Sequence, residues 1–276
     1  MIAFVIPFRS KATSDNWSFH SALLNRTIQS MLNQSNSDFR VIVVYTDYPE
    51  NKVDSKFVIW LHFPFPFLKV DDITDYESHG KRYLRTDRDI EFSMDQGRKS
   101  IFGSRHAKDL GCNYIMSVDA DDLVSSKISQ FVADNKETNC PGWYIDKGYV
   151  YDENKDQLFR YPRKFYDFCG SSYIVRTDLV SIPDFESKNL ADYSFFCGHS
   201  WLIILLRDYK KVTIEPLPFY GAIYIINSVC WGNSGSLFLK NGLKKWAKIL
   251  IYGQIIHRNL RREFVLNKIG TNKTLQ

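Results

Sequence analysis

The sequence predicts an α/β fold with a mostly parallel central sheet, and three observations carry this prediction. Its 276 residues, 44% hydrophobic and 24% charged, suffice for one well-filled globular core. Two apolar runs rich in Val and Ile, with a helical pattern between them, fit within residues 2–45. A further apolar run, at residues 114–118, leads directly into a cluster of acids. A parallel sheet covered by helices accounts for all three.

The first unit is strand, helix and strand. Ile2 to Phe8 predict a buried strand, and FRVIVVY at residues 39–45 predicts the second. Between them, helical spacing joins Leu23, Leu24, Thr27, Ile28, Met31 and Leu32. Such a βαβ unit has a right-handed crossover that buries the sheet under the helix.

Later elements continue the alternation. Residues 58–63 predict a third strand, whereas the FPFPF run at 63–67 cannot continue a central ladder and is expected as a surface excursion. Helical spacing covers residues 91–110, and Gly111 stands where a left-handed cap would end the helix. The strand at 114–118, YIMSV, then enters the sheet.

Beyond this half, residues 142–176 predict short mixed strands, and a helix is expected to start near Ser200. We see no internal repeat or low-complexity tract. The simplest division is a domain at residues 1–236 and a basic helical tail at residues 237–276.

The tail carries most of the positive charge. Residues 237–276 hold nine Lys or Arg and one Glu, which leaves a net −3 for the rest of a chain whose total is +5. An apolar stripe with lysines outside it predicts a basic amphipathic helix. The stripe consists of Leu243, Trp246, Ile249, Leu250, and Gly253 or Ile256. It fits either peripheral contact with an anionic membrane or packing on the domain. No nucleic-acid module accompanies it, so we expect no nucleic-acid partner.

Cysteine usage and hydropathy favour a cytoplasmic location. Five cysteines lie 28 to 33 residues apart without a CxxC pair, which favours neither a disulfide framework nor a zinc site. The apolar start lacks the basic region and cleavage site of a signal peptide. No apolar run approaches the length of a membrane span.

The strongest chemical signal is Asp119-Ala120-Asp121-Asp122, directly after a predicted strand. Two carboxylates two residues apart suit a hard divalent cation, Mn²⁺ or Mg²⁺, whose other positions are filled by diphosphate oxygens and water. That cation would offset the charge on a departing nucleoside diphosphate. The alternative is that these acids only form a turn and cap the next helix.

Several motifs in order resemble the family 2 type of GT-A glycosyltransferases over roughly residues 1–235. VIPFRS resembles the family's first strand and loop, and LLNRTIQSMLNQSNSDFRVIVV its next helix and strand. The closest match is DQGRKSIFGSRHAKDLGCNYIMSVDADDLVS. FCGSSYIVR resembles the family's small-residue strand under the donor sugar, where small residues allow close approach.

The resemblance implies donor-binding residues. Asp119 and Asp121, with Ala120 between them, would face the metal and the donor diphosphate or ribose, and Asp122 would support them or approach the sugar. Asp47 follows the second strand where the family often places an acid that contacts the base, although Tyr45-Thr46-Asp47 replaces the commoner Asp-Asp pair.

Basic residues offer further donor contacts. Arg98 and Lys99 suit donor phosphates, although a solvated helix face explains them as well. Pro7 and Arg9 end the first strand, where they would line a nucleotide crevice at the carboxyl edge of the sheet, and a surface Arg is the alternative.

An inverting transferase needs a general base at the acceptor hydroxyl. In the family an acid before a long helix usually serves, and the corresponding stretch here is CGHSWLIILLRDYKKV. His199 stands at about that position, and Asp192 is the second candidate. A histidine that only packs at a helix start is the alternative, and a retaining enzyme needs no such base.

The sequence therefore predicts a metal-dependent glycosyltransferase. Its donor would be a UDP-, GDP- or dTDP-linked sugar and its acceptor a saccharide or a lipid-linked molecule, as in polysaccharide assembly. A nucleotidyltransferase is disfavoured, because PFRSKATSD is not a Gly-rich phosphate loop. The remaining alternative is a non-catalytic protein that binds a sugar nucleotide or a partner through the same cleft.

Overall fold

The computed structural model describes residues 1–75, 86–138, 140–196, 201–226 and 252–269. Its strands, in chain order, are β1 (Ile2–Pro7), β2 (Phe39–Tyr45), β3 (Val58–His62), β4 (Tyr114–Ser117), β5 (Leu123–Val124), β6 (Gly142–Tyr144), β7 (Lys147–Asp152), β8 (Gln157–Tyr161), β9 (Tyr173–Arg176), β10 (Glu215–Pro216), β11 (Tyr220–Ile226) and β12 (Gly253–Gln254). Its α-helices are α1 (Trp17–Leu32), α2 (Asp87–Asp109), α3 (Ile128–Asn135), α4 (Trp201–Ile204) and α5 (Arg258–Phe264).

Seven of these strands form the main sheet, in the order β10-β6-β9-β4-β1-β2-β3. Its described pairings are parallel except those of β9, which runs antiparallel to β4 and β6. The order turns at β1, because β2 and β3 continue on one side and β4 on the other. The predicted α/β class, a central and mostly parallel sheet flanked by helices, is confirmed.

Helices cover both faces of the sheet, and the two-residue period of β1 divides the core. Phe4 and Ile6 pack with Leu24 and Ile28 of α1 in one apolar cluster. The alternate residues of β1 pack in a second cluster, which holds Met94 of α2. All the residues of β1 are buried, as expected for a strand covered on both faces.

Helix α2 lies close to the sheet because of a glycine. A Cβ at Gly103 would overlap Cγ1 of Val5 and lie 2.9 Å from Cγ2 of Val44. The helix begins with a capping box, in which the Thr86 hydroxyl accepts from Asp89 N–H and the Asp89 carboxylate accepts from Thr86 N–H. It ends before Gly111, whose φ of +74° is the predicted left-handed cap.

A second sheet, ordered β12-β8-β7-β11-β5, holds part of the predicted tail. In residues 252–269, β12 pairs with β8, and Leu260 and Phe264 of α5 pack on Tyr151 and Ile223. This part of the chain is built into the second sheet. The division at residue 236 stays a prediction, because residues 227–251, which include most of the amphipathic stripe, lie outside the described ranges.

The proline-containing run after β3 is a loop, as predicted, but its aromatic side chains are not all at the surface. Phe63 is 2% exposed, and its ring lies 5.4 Å from that of Phe102 on α2. Phe65 stacks on Phe185 with ring centres 5.5 Å apart. Prolines bar this segment from the ladder, whereas its phenylalanines gain burial against α2.

Within the described ranges, no helix is both long enough and apolar enough to cross a membrane. The described cysteines Cys112, Cys140 and Cys169 are buried free thiols.

Candidate functional site

Two loops meet at the carboxyl edge of the main sheet, on either side of the point where its strand order turns. Strand β1 ends at Pro7 and continues into Arg9, and β4 ends at Ser117 and continues into residues 119–122, the acid turn. Val118 N–H still donates to the carbonyl of Val5 at 2.9 Å, so the two strands leave the sheet together. Ligands of open α/β sheets bind in the crevice formed at such a point.

Helix α2 is the third element at this edge. Its last residues lead into the amino end of β4, so the first half of the helix lies near the carboxyl edge of the sheet. Gln96 Nε2 donates to Oδ1 of Asp119 at 2.6 Å. The acid turn is closed by the amide of Asp122, which donates to the carbonyl of Asp119 at 3.1 Å. Asp119 and Asp121 are half-buried.

Asp122 is fully buried and belongs to the support of the site. Its Oδ2 accepts from the hydroxyl of Ser171 at 2.6 Å and from the thiol of Cys169 at 3.2 Å. Its Oδ1 accepts from the amide of Ile225 on β11 at 3.4 Å. Asp122 therefore ties the acid turn to β11 and to the segment that leads into β9.

Burial and neighbouring carboxylates raise the pKa of two acids of the turn, Asp119 and Asp122. Burial, followed by the charge of Asp121, raises the pKa of Asp119 to about 7, while Gln96 and Arg9 oppose this shift. Burial, followed by the charges of Asp121 and Asp119, raises the pKa of Asp122 well above its ordinary value. A cation bound here would relieve this crowding of negative charge.

Arg9 supplies positive charge to the same crevice. Its charge opposes the rise in the pKa of Asp119. Burial, followed by the charge of Arg9, lowers the pKa of His20 to about 4. The guanidinium carbon of Arg9 lies 5.5 Å from the ring centre of Phe92 on α2. Its Nη1 is buried and has no hydrogen-bond partner among the described residues. A buried, unsatisfied donor beside carboxylates suits an anionic ligand.

Asp47 lies at the same edge and holds the loop after β1. Its Oδ2 accepts from the amide of Lys11 at 2.8 Å. The adjacent Tyr48 is 54% exposed, and its ring centre lies 4.2 Å from that of Tyr45. The predicted donor residues Pro7, Arg9, Asp47, Asp119, Ala120 and Asp121 are thus all on loops or strand ends at one edge of the sheet.

Arg98 and Lys99 are both buried, so the alternative of a solvated helix face is wrong, whereas a contact with donor phosphates stays a prediction. Arg98 donates to the carbonyls of Pro66 at 2.9 Å and Phe185 at 2.8 Å, within an aromatic cluster. Lys99 Nζ donates to the carbonyl of Phe8 at 2.9 Å and to Asp95 Oδ2 at 2.7 Å. These contacts fix α2 to the loops around it.

Of the two candidate bases, only Asp192 is within the described residues. It lies in the 3₁₀ segment Leu190–Phe196 and is exposed, and its Oδ2 accepts from the hydroxyl of Ser187 at 2.5 Å. His199 lies outside the described ranges. The role of either candidate stays a prediction.

Sequence reasoning missed three residues that the fold brings to the acid turn. Gln96 lies two residues before Arg98 in a stretch already singled out, but its helical face was not considered. Ser171 lies in the FCGSSYIVR stretch that the resemblance relates to the donor sugar, but no contact with the acid turn was predicted for it. Tyr224 of β11 is the third, since burial and then Asp122 and Asp121 raise its pKa. No local signal marks Tyr224, because β11 reaches the site only through long-range pairing.

The donor set fits a hard cation that also binds a ligand. Among the described residues, no group of three or more His, Cys, Asp or Glu side chains is arranged to hold a metal ion. Asp119 and Asp121 supply two carboxylates, and Mn²⁺ or Mg²⁺ commonly takes only one or two from the protein. Diphosphate oxygens and water would complete such a site.

Comparisons with known proteins give fold likenesses. No family model matches the sequence, and no curated protein matches it significantly. TarS from S. aureus, residues 1–349, is 12% identical with a TM-score of 0.46, and the match covers 81% of this chain and 60% of that one. TarS residues 1–349 in complex with UDP-GlcNAc is 11% identical with a TM-score of 0.43, and the match covers 82% of this chain and 58% of that one. A protein from Desulfovibrio desulfuricans G20, ascribed to the nucleotide-diphospho-sugar transferases, is 11% identical with a TM-score of 0.35. The match covers 90% of this chain and 92% of that one.

This chain therefore spans about 60% of the length of the TarS residues 1–349 structure. At these identities the likeness concerns the fold alone. The activity proposed for this chain rests on its own residues.

Proposed function

We propose that this protein is a glycosyltransferase that moves a sugar from a nucleoside-diphosphate sugar to a saccharide or lipid-linked acceptor. The observation that carries the proposal is the meeting of Asp119, Asp121 and the unsatisfied donor of Arg9 at the turning point of the sheet. Two carboxylates and one guanidinium suit a metal-bound diphosphate better than a neutral ligand.

Asp119 and Asp121 would hold the Mn²⁺ or Mg²⁺ ion that accompanies the donor. When bound, the cation offsets the negative charge that develops on the leaving nucleoside diphosphate. Gln96 orients Asp119 through its 2.6 Å hydrogen bond and keeps one carboxylate oxygen engaged on the protein side. Such outer contacts fix the direction of a ligating carboxylate.

Arg9 would donate its free Nη1 to a diphosphate oxygen. Charge-assisted hydrogen bonds from a guanidinium to phosphate are among the strong ones. Asp47 would contact the nucleobase, with Pro7 and Ala120 contributing backbone to the crevice. The phenol of Tyr48, 54% exposed beside Asp47, offers an additional aromatic face there.

The acceptor side of the mechanism depends on Asp192 or His199. In an inverting enzyme one of them would accept the proton of the acceptor hydroxyl as it attacks the anomeric carbon. A carboxylate already bonded to Ser187 keeps a second oxygen for that task. We further propose a cytoplasmic protein whose basic segment contacts the anionic inner membrane face, close to lipid-linked acceptors.

The proposal is tested by incubating the protein with UDP-, GDP- and dTDP-sugars and Mn²⁺, and by measuring nucleotide release. Saccharide and lipid-linked acceptors are added in separate arms. Asp121→Ala and EDTA should abolish the release. Asp109→Ala, an exposed acid at the opposite end of α2, is the matched control and should retain it.

The outcomes separate the alternatives. Nucleotide release that is lost with EDTA and in Asp121→Ala but retained in Asp109→Ala would support a transferase and identify its donor. Metal-dependent nucleotide binding without release in any acceptor arm would favour the non-catalytic alternative. If the protein neither binds nor releases a nucleotide, both the transferase and the non-catalytic alternative are contradicted.

A further inference from the structure

The acid turn is held by side chains from three separate elements, which is more support than a simple turn needs. Gln96 of α2 bonds the Asp119 carboxylate, Ser171 bonds the Asp119 backbone, and Thr27 of α1 bonds the carbonyl of Ala120. The last two contacts fix the backbone of the turn. The bonds from Ser171 and Thr27 therefore determine the positions of Asp119 and Asp121.

Ser171 makes two bonds with one hydroxyl. Its Oγ accepts from the amide of Asp119 at 2.8 Å and donates to Oδ2 of the buried Asp122 at 2.6 Å. The residue is fully buried, so water does not substitute for it. A hydroxyl that links the first and last acids of the turn fixes the span between them.

Thr27 fixes the turn from the opposite helix layer. Its hydroxyl donates to the carbonyl of Ala120 at 3.0 Å, and Thr27 is fully buried. One turn further along α1, the Ser30 hydroxyl accepts from the amide of Val124 at 3.2 Å, directly after the acid turn. The polar positions of α1 thus follow the backbone of the segment that carries the acids.

We propose that Ser171 and Thr27 are positioning residues, which hold the acid turn so that Asp119 and Asp121 share one ligand. The inference rests on the proposed function for the identity of that ligand. Its structural part, the fixing of the turn, is independent of any activity.

The chain offers matched control variants for both residues. Ser172, next to Ser171, is also fully buried, and its hydroxyl has no hydrogen-bond partner among the described residues. Thr177 resembles Thr27, because its hydroxyl donates to the carbonyl of Cys112 at 2.6 Å. Cys112 lies before the amino end of β4, so Thr177 makes the same kind of bond at the other edge of the sheet.

The first test measures amide hydrogen exchange in the peptide that covers residues 118–124. Ser171→Ala and Thr27→Val should speed local exchange there by about tenfold, the equivalent of one lost hydrogen bond. Ser172→Ala and Thr177→Val should leave it unchanged. Equal exchange in this peptide for test and control variants would overturn the proposal. If Ser171→Ala does not fold, the Thr27→Val and Thr177→Val pair decides.

The second test measures the Mn²⁺ concentration that half-saturates binding of UDP. Loss of the support from Ser171 should raise this Mn²⁺ concentration by about tenfold or more in Ser171→Ala, whereas Ser172→Ala should keep the wild-type value. Unchanged Mn²⁺ dependence in Ser171→Ala would overturn the positioning role. If the wild-type protein itself binds no UDP with Mn²⁺, the proposed function fails, and the exchange experiment still decides whether the two residues fix the turn.

Discussion

Replacing Lys99 by Met separates a structural lysine from one that contacts the donor. Lys99 is fully buried, and its ammonium group bonds Asp95 at 2.7 Å and the carbonyl of Phe8 at 2.9 Å. Methionine keeps most of the aliphatic length and provides no donor. The carbonyl of Phe8, which leads into Arg9, and the Asp95 carboxylate would both lose their partner.

The expected cost follows from the burial of the pair. Removing one partner of a buried ion pair costs about 3–5 kcal/mol, because the other charge stays behind. The Asp95 side chain is 12% exposed and keeps some contact with water, which favours the lower end of that range. For a chain of this size, about 3 kcal/mol lowers the Tm by roughly 6–12 °C.

Thermal unfolding and UDP binding, measured on the same preparations, test this expectation. Lys108→Met, at an exposed position on the same helix, should change stability by less than about 1 kcal/mol. Adding Asp95→Asn to Lys99→Met should recover part of the loss, since no unpaired charge remains. A Lys99→Met protein with the wild-type Tm but without affinity for UDP would refute the structural role and return Lys99 to the donor site.

Two further predictions concern the charges around the crevice. Arg9→Gln should weaken UDP binding, measured by calorimetry, by about 10- to 100-fold, the effect of one charge-assisted hydrogen bond. Arg160→Gln, on the exposed face of β8, should leave UDP binding unchanged. Equal UDP affinities of the two variants would contradict the role of Arg9. His20 has its pKa lowered to about 4, so the unfolded chain takes up a proton first and stability falls as pH drops from about 6.5 toward 4. Urea unfolding at pH 7 and pH 5 should show wild type losing about 1–2 kcal/mol more than His20→Gln, and equal losses would exclude this cause.

The sequence predicted best the elements whose partners lie close along the chain. The range of β2, residues 39–45, was predicted as observed, and β1 differed only in its last residue. The start of α2 was predicted four residues too late, although Thr86 and Asp89 form a recognisable capping box. The order of β6, β9 and β10 could not be predicted, because it depends on contacts between distant segments.

The candidate site shows the same limit. Asp119 and Asp121 were predicted as site residues because they follow an apolar strand directly, and the end of such a strand can be recognised in a sequence. For Arg98 the alternatives were a donor contact and a solvated helix face, yet it stands four residues after Met94 and three before Ile101, on the buried stripe of the helix. Counting that period would have placed it correctly. The FCGSSYIVR stretch was singled out by resemblance, but the contact of Ser171 with Asp119, 52 residues away in the chain, has no such signal.

The central claim is that Asp119 and Asp121 hold a metal-bound nucleoside diphosphate at the turning point of the sheet. The most direct measurement is a crystal structure of the protein with UDP and Mn²⁺, with the ion located by its anomalous scattering. We predict an anomalous peak in contact with the carboxylates of Asp119 and Asp121 and with diphosphate oxygens, and a guanidinium bond from Arg9 to the same diphosphate. UDP bound elsewhere, or a Mn²⁺ peak away from both acids, would contradict the account.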